Sequence, residues 1–281
     1  FSSVSDAKHR RACVCSFSSL EKSCLQSDYH RIRAGVSHLK PYVHSDCGGV
    51  ADKQTGLVRV PEYVRWSQHC AMGAIHRYHG GPGHQPWLYD NATESIVRSF
   101  LNLRMTLMPM LLAAGETATL EATPVARRLD LLFPTAERSN TTRTDQYFLG
   151  DDLLVAPFSS SGDANGTATR EVWLPPGSYQ DAWTGATVEG PQLVVATQPL
   201  GRIPLWHKKG GVLVTAPSAL TIEEQDWSEL TLELFPHALA ERASDRSVAG
   251  PPRAEEALDA TQRRAQQQVR RVVREGEPGE G

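Results

Sequence analysis

Apolar and polar positions follow two grammars along this chain, and the change comes at about residue 117. Upstream, the run VSHLKPYVHS from Val36 to Ser45 ends in Asp46-Cys47-Gly48-Gly49. This predicts a buried strand stopped by a glycine turn, with a carboxylate at its C-terminal edge. Pro61-Glu62 opens a helical pattern over 62–75, where Tyr63, Trp66, Cys70 and Gly73-Ala74 share one face. Ile75 to His79 follows as a second short strand, then the loop GGPGHQP. The next helix, over 92–113, carries the stripe Ile96, Phe100, Leu103, Leu107 and Leu111, widened by Val97, Leu101, Met108 and Leu112. Such a broad apolar face requires burial. Asn91 and Glu94 have the spacing of a capping box, and Pro109 predicts a kink. Strand, loop and helix repeated is the unit of a parallel β/α architecture, and two such units cannot close a barrel of eight.

Downstream the pattern shortens to β-rich runs broken by turns: RLDLLF, QYFLG, DLLVAPF, REVWLPPGSY, QLVVAT, RIPLWH and GVLVTA, with a further strand through Leu230–Phe235. Short strands with Gly and Pro at the breaks predict an antiparallel β-sandwich. The fold class expected is thus α/β plus all-β: the incomplete C-terminal part of a (β/α)8 barrel followed by an antiparallel sandwich. The divisions are an N-terminal segment without periodicity over 1–35, the barrel part over 36–117, the sandwich over 118–236 and a charged tail over 237–281. In that tail Leu258, Ala265, Val269 and Val272 form one weak helical stripe, the mark of a solvated helix or a disordered segment.

Composition narrows the partners. A net charge of −3 gives no electrostatic reason to expect nucleic acid. No apolar run approaches the roughly 20 residues of a membrane span. The chain begins at Phe1 and has no methionine before Met72, so the rest of a barrel is expected elsewhere in a longer protein. Cys13, Cys15, Cys24, Cys47 and Cys70 are odd in number and define no disulfide framework. Cys13 and Cys15 are also too close for a zinc half-site. Three of the four asparagines, Asn91 (NAT), Asn140 (NTT) and Asn165 (NGT), sit in N-glycosylation triplets, which tilts the reading towards a secretory or lysosome-like lumen. Each could equally serve as a cap or turn residue.

Candidate chemistry gathers at the C-terminal ends of the two expected parallel strands, with Asp46 on one and Arg77 and His79 on the other. In β/α barrels that rim carries the active site. A carboxylate, a guanidinium and an imidazole suit the hydroxyls of a sugar; an Arg77–Asp46 ion pair tying adjacent strands is the plainer alternative. His76, His79 and His84 fall close together, but the Gly-rich linker gives no rigidity and no Cys or carboxylate stands at ligand spacing, so no metal and no cofactor is expected. His76 is expected to pack behind the strand. No Gly-x-Ser-x-Gly elbow occurs, which argues against a serine hydrolase.

The segments YVHSDCGGV, YVRWSQHCAMGAIHRYH, LMPMLL, DQYFLGDDLLVAP, VWLPPGSYQDAWTG and LGRIPLWHKKGGVLV, in that order over residues 36–216, together resemble the second half of glycoside hydrolase family 31. That family contains α-glucosidases and α-xylosidases. Its Asp-Ile-Gly-Gly-Phe turn corresponds to Asp46-Cys47-Gly48-Gly49-Val50 with two substitutions, and its Arg-x-His to Arg77-Tyr78-His79. The resemblance implies that His79 binds a hydroxyl of the sugar being cleaved, while Arg77 and Asp46 shape and charge the same pocket. The family's aspartate nucleophile and aspartate acid/base precede the Asp-Gly-Gly turn. Residues 1–35 hold only Asp6, Glu21 and Asp28, none in the family's context, and Gly150-Asp151-Asp152 reads as a turn between strands. The expectation is part of a retaining α-glycosidase acting on an α-linked carbohydrate, inactive alone and with no catalytic residue identified. The rival readings are a non-catalytic glycan-binding or structural module and a chain that never folds.

Overall fold

The computed structural model describes residues 42–44, 47, 58–78, 84–134 and 145–237. The tail from 238 onwards and Asn140 lie outside them. Helix α1 spans Val60–Ala71, with Pro61 in its first turn, where the missing N–H costs no hydrogen bond. It starts earlier and stops sooner than 62–75, because Met72 and Gly73 fold back onto the Gln68 and Cys70 carbonyls. Every residue from Glu62 to Ala71 is buried, so α1 is covered on all sides and its polar side chains need internal partners.

Helix α2, Asn91–Thr106, starts one residue away from the expected box. Its N-cap is Asp90, whose carboxylate accepts from the Thr93 N–H at 2.8 Å, while Glu94 pairs with Arg98. Helix α3, Met108–Glu121, continues past residue 117 at 56° to α2. Pro109 explains the bend: it offers no N–H to the Met105 carbonyl and its ring crowds that oxygen.

The β domain begins with β1, Ala126–Arg128, and here the strand expected through RLDLLF is corrected. Leu129–Leu132 instead closes a helical turn, α4, in which the Phe133 N–H reaches the Leu129 carbonyl and Arg128 pairs with Asp130. The remaining strands are β2 Tyr147–Leu149, β3 Leu153–Val155, β4 Ala168–Asp181, β5 Thr187–Gln198, β6 Leu205–Lys208, β7 Gly211–Thr215 and β8 Thr231–Phe235. They form a six-stranded sheet, β1-β2-β3-β6-β4-β5, and a two-stranded sheet, β7-β8, antiparallel throughout. Pro175 and Pro176, which cannot complete a ladder, sit where the β4–β5 register shifts between Leu174 and Gly177. Gly150-Asp151-Asp152 is the turn between β2 and β3. Asp152 Oδ2 accepts from the Val212 N–H at 3.1 Å and so links the two sheets. A Cβ at Gly211 would lie 2.6 Å from the Asp152 Cγ, so that link requires glycine.

Side-chain alternation in β2 and β3 decides how the layers stack. Tyr147, Leu149, Leu153 and Val155 face a core shared with Ala71, Met72, Phe100, Leu107 and Met110 of the helical region. Phe148 and Leu154 face the opposite way, onto Val172, Leu174 and Tyr179 of β4. Helices and sheet are therefore joined through one apolar core.

Arg65 completes that junction. The fully buried guanidinium donates to Gln68 Oε1 at 3.1 Å and to the carbonyls of Arg202 at 2.6 Å, Gly166 at 2.8 Å, Pro199 at 3.2 Å and Gln198 at 3.4 Å. Its plane lies over Phe158, 4.5 Å from the ring centroid. Gln68 adds a bond from Nε2 to the Leu200 carbonyl at 2.7 Å. Replacing Arg65 by Met leaves these carbonyls buried without donors. Unfolding in urea should show a loss on the order of 3 kcal/mol, only partly recovered by Arg65→Lys, which keeps the charge but lacks the planar fork.

Candidate sugar rim

Of the three expected binding residues, only Arg77 lies among the described residues; Asp46 and His79 lie outside them. The two expected parallel strands reduce, within the described residues, to a single parallel bridge between Cys47 and Tyr78. Asp46 is the covalent neighbour of Cys47, and Arg77 and His79 flank Tyr78. Arg77 is exposed, whereas Tyr78 turns inward and its hydroxyl donates to Ser67 Oγ at 2.8 Å. Ser67 in turn donates to the Tyr63 carbonyl at 2.8 Å.

Tyr63 supports the same region. Its ring stacks against Tyr78, with centroids 5.7 Å apart, and on its other side against Tyr89 at 4.0 Å. Its hydroxyl donates to the His84 carbonyl at 2.8 Å. One side chain of α1 thus touches the residue before His79 and the residue that closes the glycine-rich loop. Burial raises the Tyr63 hydroxyl well above the ordinary tyrosine range and moves Tyr89 up to about 12, so both stay neutral hydrogen-bonding groups.

Arg104 on α2 holds the preceding turn. It donates to the carbonyls of Ala71 at 3.0 Å, Gly73 at 2.5 Å and Ala74 at 2.9 Å, satisfying the end of α1 where the chain turns towards Arg77. Burial lowers its pKa to about 10, which leaves it charged at neutral pH. His76 packs edge-on to Tyr78 at 5.0 Å, as expected of a residue behind the strand. Burial, with the nearby Arg104 charge, lowers its pKa to about 4.

The cysteines require a correction. Cys47 and Cys70 form a disulfide with Cα atoms 6.2 Å apart, in a buried cluster with Trp66 and Tyr78. An odd cysteine count does not exclude a pair brought together by tertiary folding. Ser67, Tyr63 and Arg104 were also missed. The signal for Arg104 was a guanidinium within the apolar stretch of α2; nothing local distinguished the others.

Two further sets of residues lie away from the rim. Among the described residues no group of three His, Cys, Asp or Glu side chains is placed to hold a metal ion. Asp151, Asp152 and His207, with Met110 of α3, line a small cavity without room for a sugar. Asn91 and Asn165 are both exposed, Asn91 at the first position of α2 and Asn165 in a turn where Asp163 Oδ1 accepts from the Asn165 and Thr167 N–H groups at 2.9 Å.

Residues 31–114 match the profile of the glycosyl hydrolases family 31 TIM-barrel domain, and residues 122–213 that of the glycosyl hydrolase family 31 C-terminal domain. The chain belongs to glycoside hydrolase family 31. Among family relatives, alpha-glucosidase 2 of Bacillus thermoamyloliquefaciens is 27% identical over 196 residues, covering 69% of this chain and 23% of its own length. Neutral alpha-glucosidase AB of Homo sapiens is 33% identical over 173 residues, covering 57% of this chain and 17% of its own length. The chain therefore spans about a quarter or less of these relatives. The family 31 dextranase of Flavobacterium johnsoniae complexed with glucose superimposes with a TM-score of 0.66 at 26% identity, covering 76% of this chain and 27% of the dextranase. The family 31 alpha-xylosidase of Xanthomonas citri gives 0.67 at 26% identity, covering 77% and 25%. The part of a family 31 barrel followed by its β domain is thus the architecture of this chain.

Three histidines, His69 buried and His76 and His207 half-buried, set a pH limit on this architecture. Burial lowers His69, His76 and His207 to about 4 from the ordinary 6.5. The unfolded chain takes up these protons near pH 6.5 and the folded chain only near 4, so their stability is full above pH 6.5 and is lost as pH falls towards 4. Each pKa unit is worth about 1.4 kcal/mol, so urea unfolding should show a drop of several kcal/mol across this window. His69→Phe should make the drop shallower.

Proposed function

We propose that this chain forms one wall of the sugar pocket of a retaining α-glycosidase, with His79, Arg77 and Asp46 contacting the hydroxyls of a terminal α-linked sugar. The observation that carries the reading is the parallel Cys47–Tyr78 bridge in a family 31 chain, because the residues flanking that bridge are the ones that match the family's binding motifs. A relative seen with glucose in its structure agrees with a glycoside as the ligand.

Retaining hydrolysis requires a nucleophile and an acid/base about 5–5.5 Å apart. None of the residues assigned to the rim supplies that pair. In this reading Asp46 is a binding carboxylate. His79 can donate a proton, but without an opposing carboxylate the oxocarbenium-like transition state has no anionic support. The rim residues in this reading bind and orient the sugar, and the carboxylate pair comes from elsewhere.

The test is titration of the purified 281-residue chain with glucose, alongside an aryl α-glucoside turnover assay. Saturable binding weakened about tenfold or more by His79→Ala, without measurable turnover, is the expected result. Binding that survives Asp46→Asn, Arg77→Met and His79→Ala would place the sugar elsewhere and favour a separate glycan-binding module. Hydrolysis abolished by Asp46→Asn would make Asp46 the nucleophile and overturn the assignment.

A further inference from the structure

We infer that the Cys47–Cys70 disulfide is a positioning element of the sugar rim, fixing Cys47, the covalent neighbour of Asp46, to helix α1 beside Tyr78, the covalent neighbour of Arg77 and His79. The inference rests on the pocket-wall reading for its functional consequence, but its structural content can be tested separately.

Three observations support it. The bond joins a rim residue to a helix residue 23 positions away in sequence, and both are buried, Cys47 at 0% and Cys70 at 3% exposure. Cys47 also bridges to Tyr78, whose hydroxyl is held by Ser67, one turn before Cys70 on α1. Both rim segments therefore attach to consecutive turns of one helix, one covalently and the other through a side-chain hydrogen bond. The disulfide thus ties Cys47 covalently to the helix, in addition to its parallel bridge to Tyr78.

Helix α1 can serve as the fixed end because it is itself immobilised. Arg65 and Gln68 bind it to the β domain, and Arg104 holds its C-terminal carbonyls. Trp66 lies in the same buried cluster as Cys47 and Cys70, with Tyr78 packed against it, so the tie sits in packed surroundings. Binding depends on groups held to within a fraction of an ångström by the residues that support them.

The experiment compares the full chain, purified without reductant, with the Cys47→Ala/Cys70→Ala double variant and with Cys70→Ser. Peptide mapping of the unreduced chain should recover residues 47 and 70 in one cross-linked species; both captured as free thiols under native conditions would overturn the inference. In the variants, glucose affinity should fall about tenfold and the Cys47-site and Tyr78 amides should exchange at least about tenfold faster, while β2 and β3 amides keep their protection. Unchanged affinity with unchanged exchange at 47 and 78 would overturn it. Loss of protection throughout the chain in both variants would also overturn it, since the bond would then be a general staple. If the wild-type chain binds no glucose, the pocket-wall reading fails, and the exchange arm alone decides: faster exchange confined to 47 and 78 retains the tether, and no change removes it.

Discussion

A guanidinium buried without water must find acceptors for its N–H groups, and Arg65 finds them at the open end of the β4–β5 hairpin. Ala168 and Gln198 are the pair that begins that hairpin, and the acceptors lie around its open end, Gly166 before β4, Gln198 at the end of β5, and Pro199 and Arg202 after it. The arrangement constrains both partners. Gly166 has φ +76°, and a Cβ there would lie 2.9 Å from Leu200, so the turn that aims its carbonyl at Arg65 needs glycine. The helix cannot rotate without stranding a charge, and the hairpin cannot shift without stranding carbonyls. Hydrophobic burial brings α1 and the sheet together, but it is non-directional; the guanidinium specifies one orientation.

With α1 fixed, the rim becomes a problem of hanging short segments on a rigid rod. Tyr63, Ser67 and Cys70 are spaced to face one side of the helix. They take, respectively, the rings of Tyr78 and Tyr89, the hydroxyl of Tyr78, and the sulfur of Cys47. Polar groups of Arg65, Gln68 and His69 leave the helix in other directions, towards the β domain and the Tyr147 ring. A helix buried on every side can serve two layers at once, and the mixture of polar and apolar residues along α1 reflects two sets of neighbours rather than a surface stripe.

That double duty also explains where sequence reasoning worked. The α2 stripe and the Pro109 kink were legible because one side of that region meets the core and the other meets solvent, so periodicity and proline chemistry carry the information locally. The β2, β3 and β7 runs were legible as short apolar stretches between turn residues. RLDLLF misled because three leucines in a turn and three in a strand look alike over so few residues, and the outcome depended on Arg128 pairing with Asp130. The capping box failed by one position because Asp90 and Asn91 are both good caps and the sequence does not rank them. The disulfide and the tyrosine stack were illegible in principle: each joins residues far apart in sequence, and no local pattern records a contact that tertiary packing creates.

Acid/base chemistry at a glycosidic bond needs two charges whose separation is controlled, whereas hydroxyl recognition needs donors and acceptors whose orientation is controlled. The supports around Tyr78 are stacked rings, neutral hydroxyls and a capped helix end, with the tyrosine pKa values raised by burial. Asp151 and Asp152, the adjacent carboxylates most easily taken for a catalytic motif, instead pair with Arg127 and bind the Val212 N–H at the junction of the two sheets. A carboxylate already committed to a backbone N–H and a sheet junction is not free to reach an anomeric carbon, so the acidic pair of the β domain is structural.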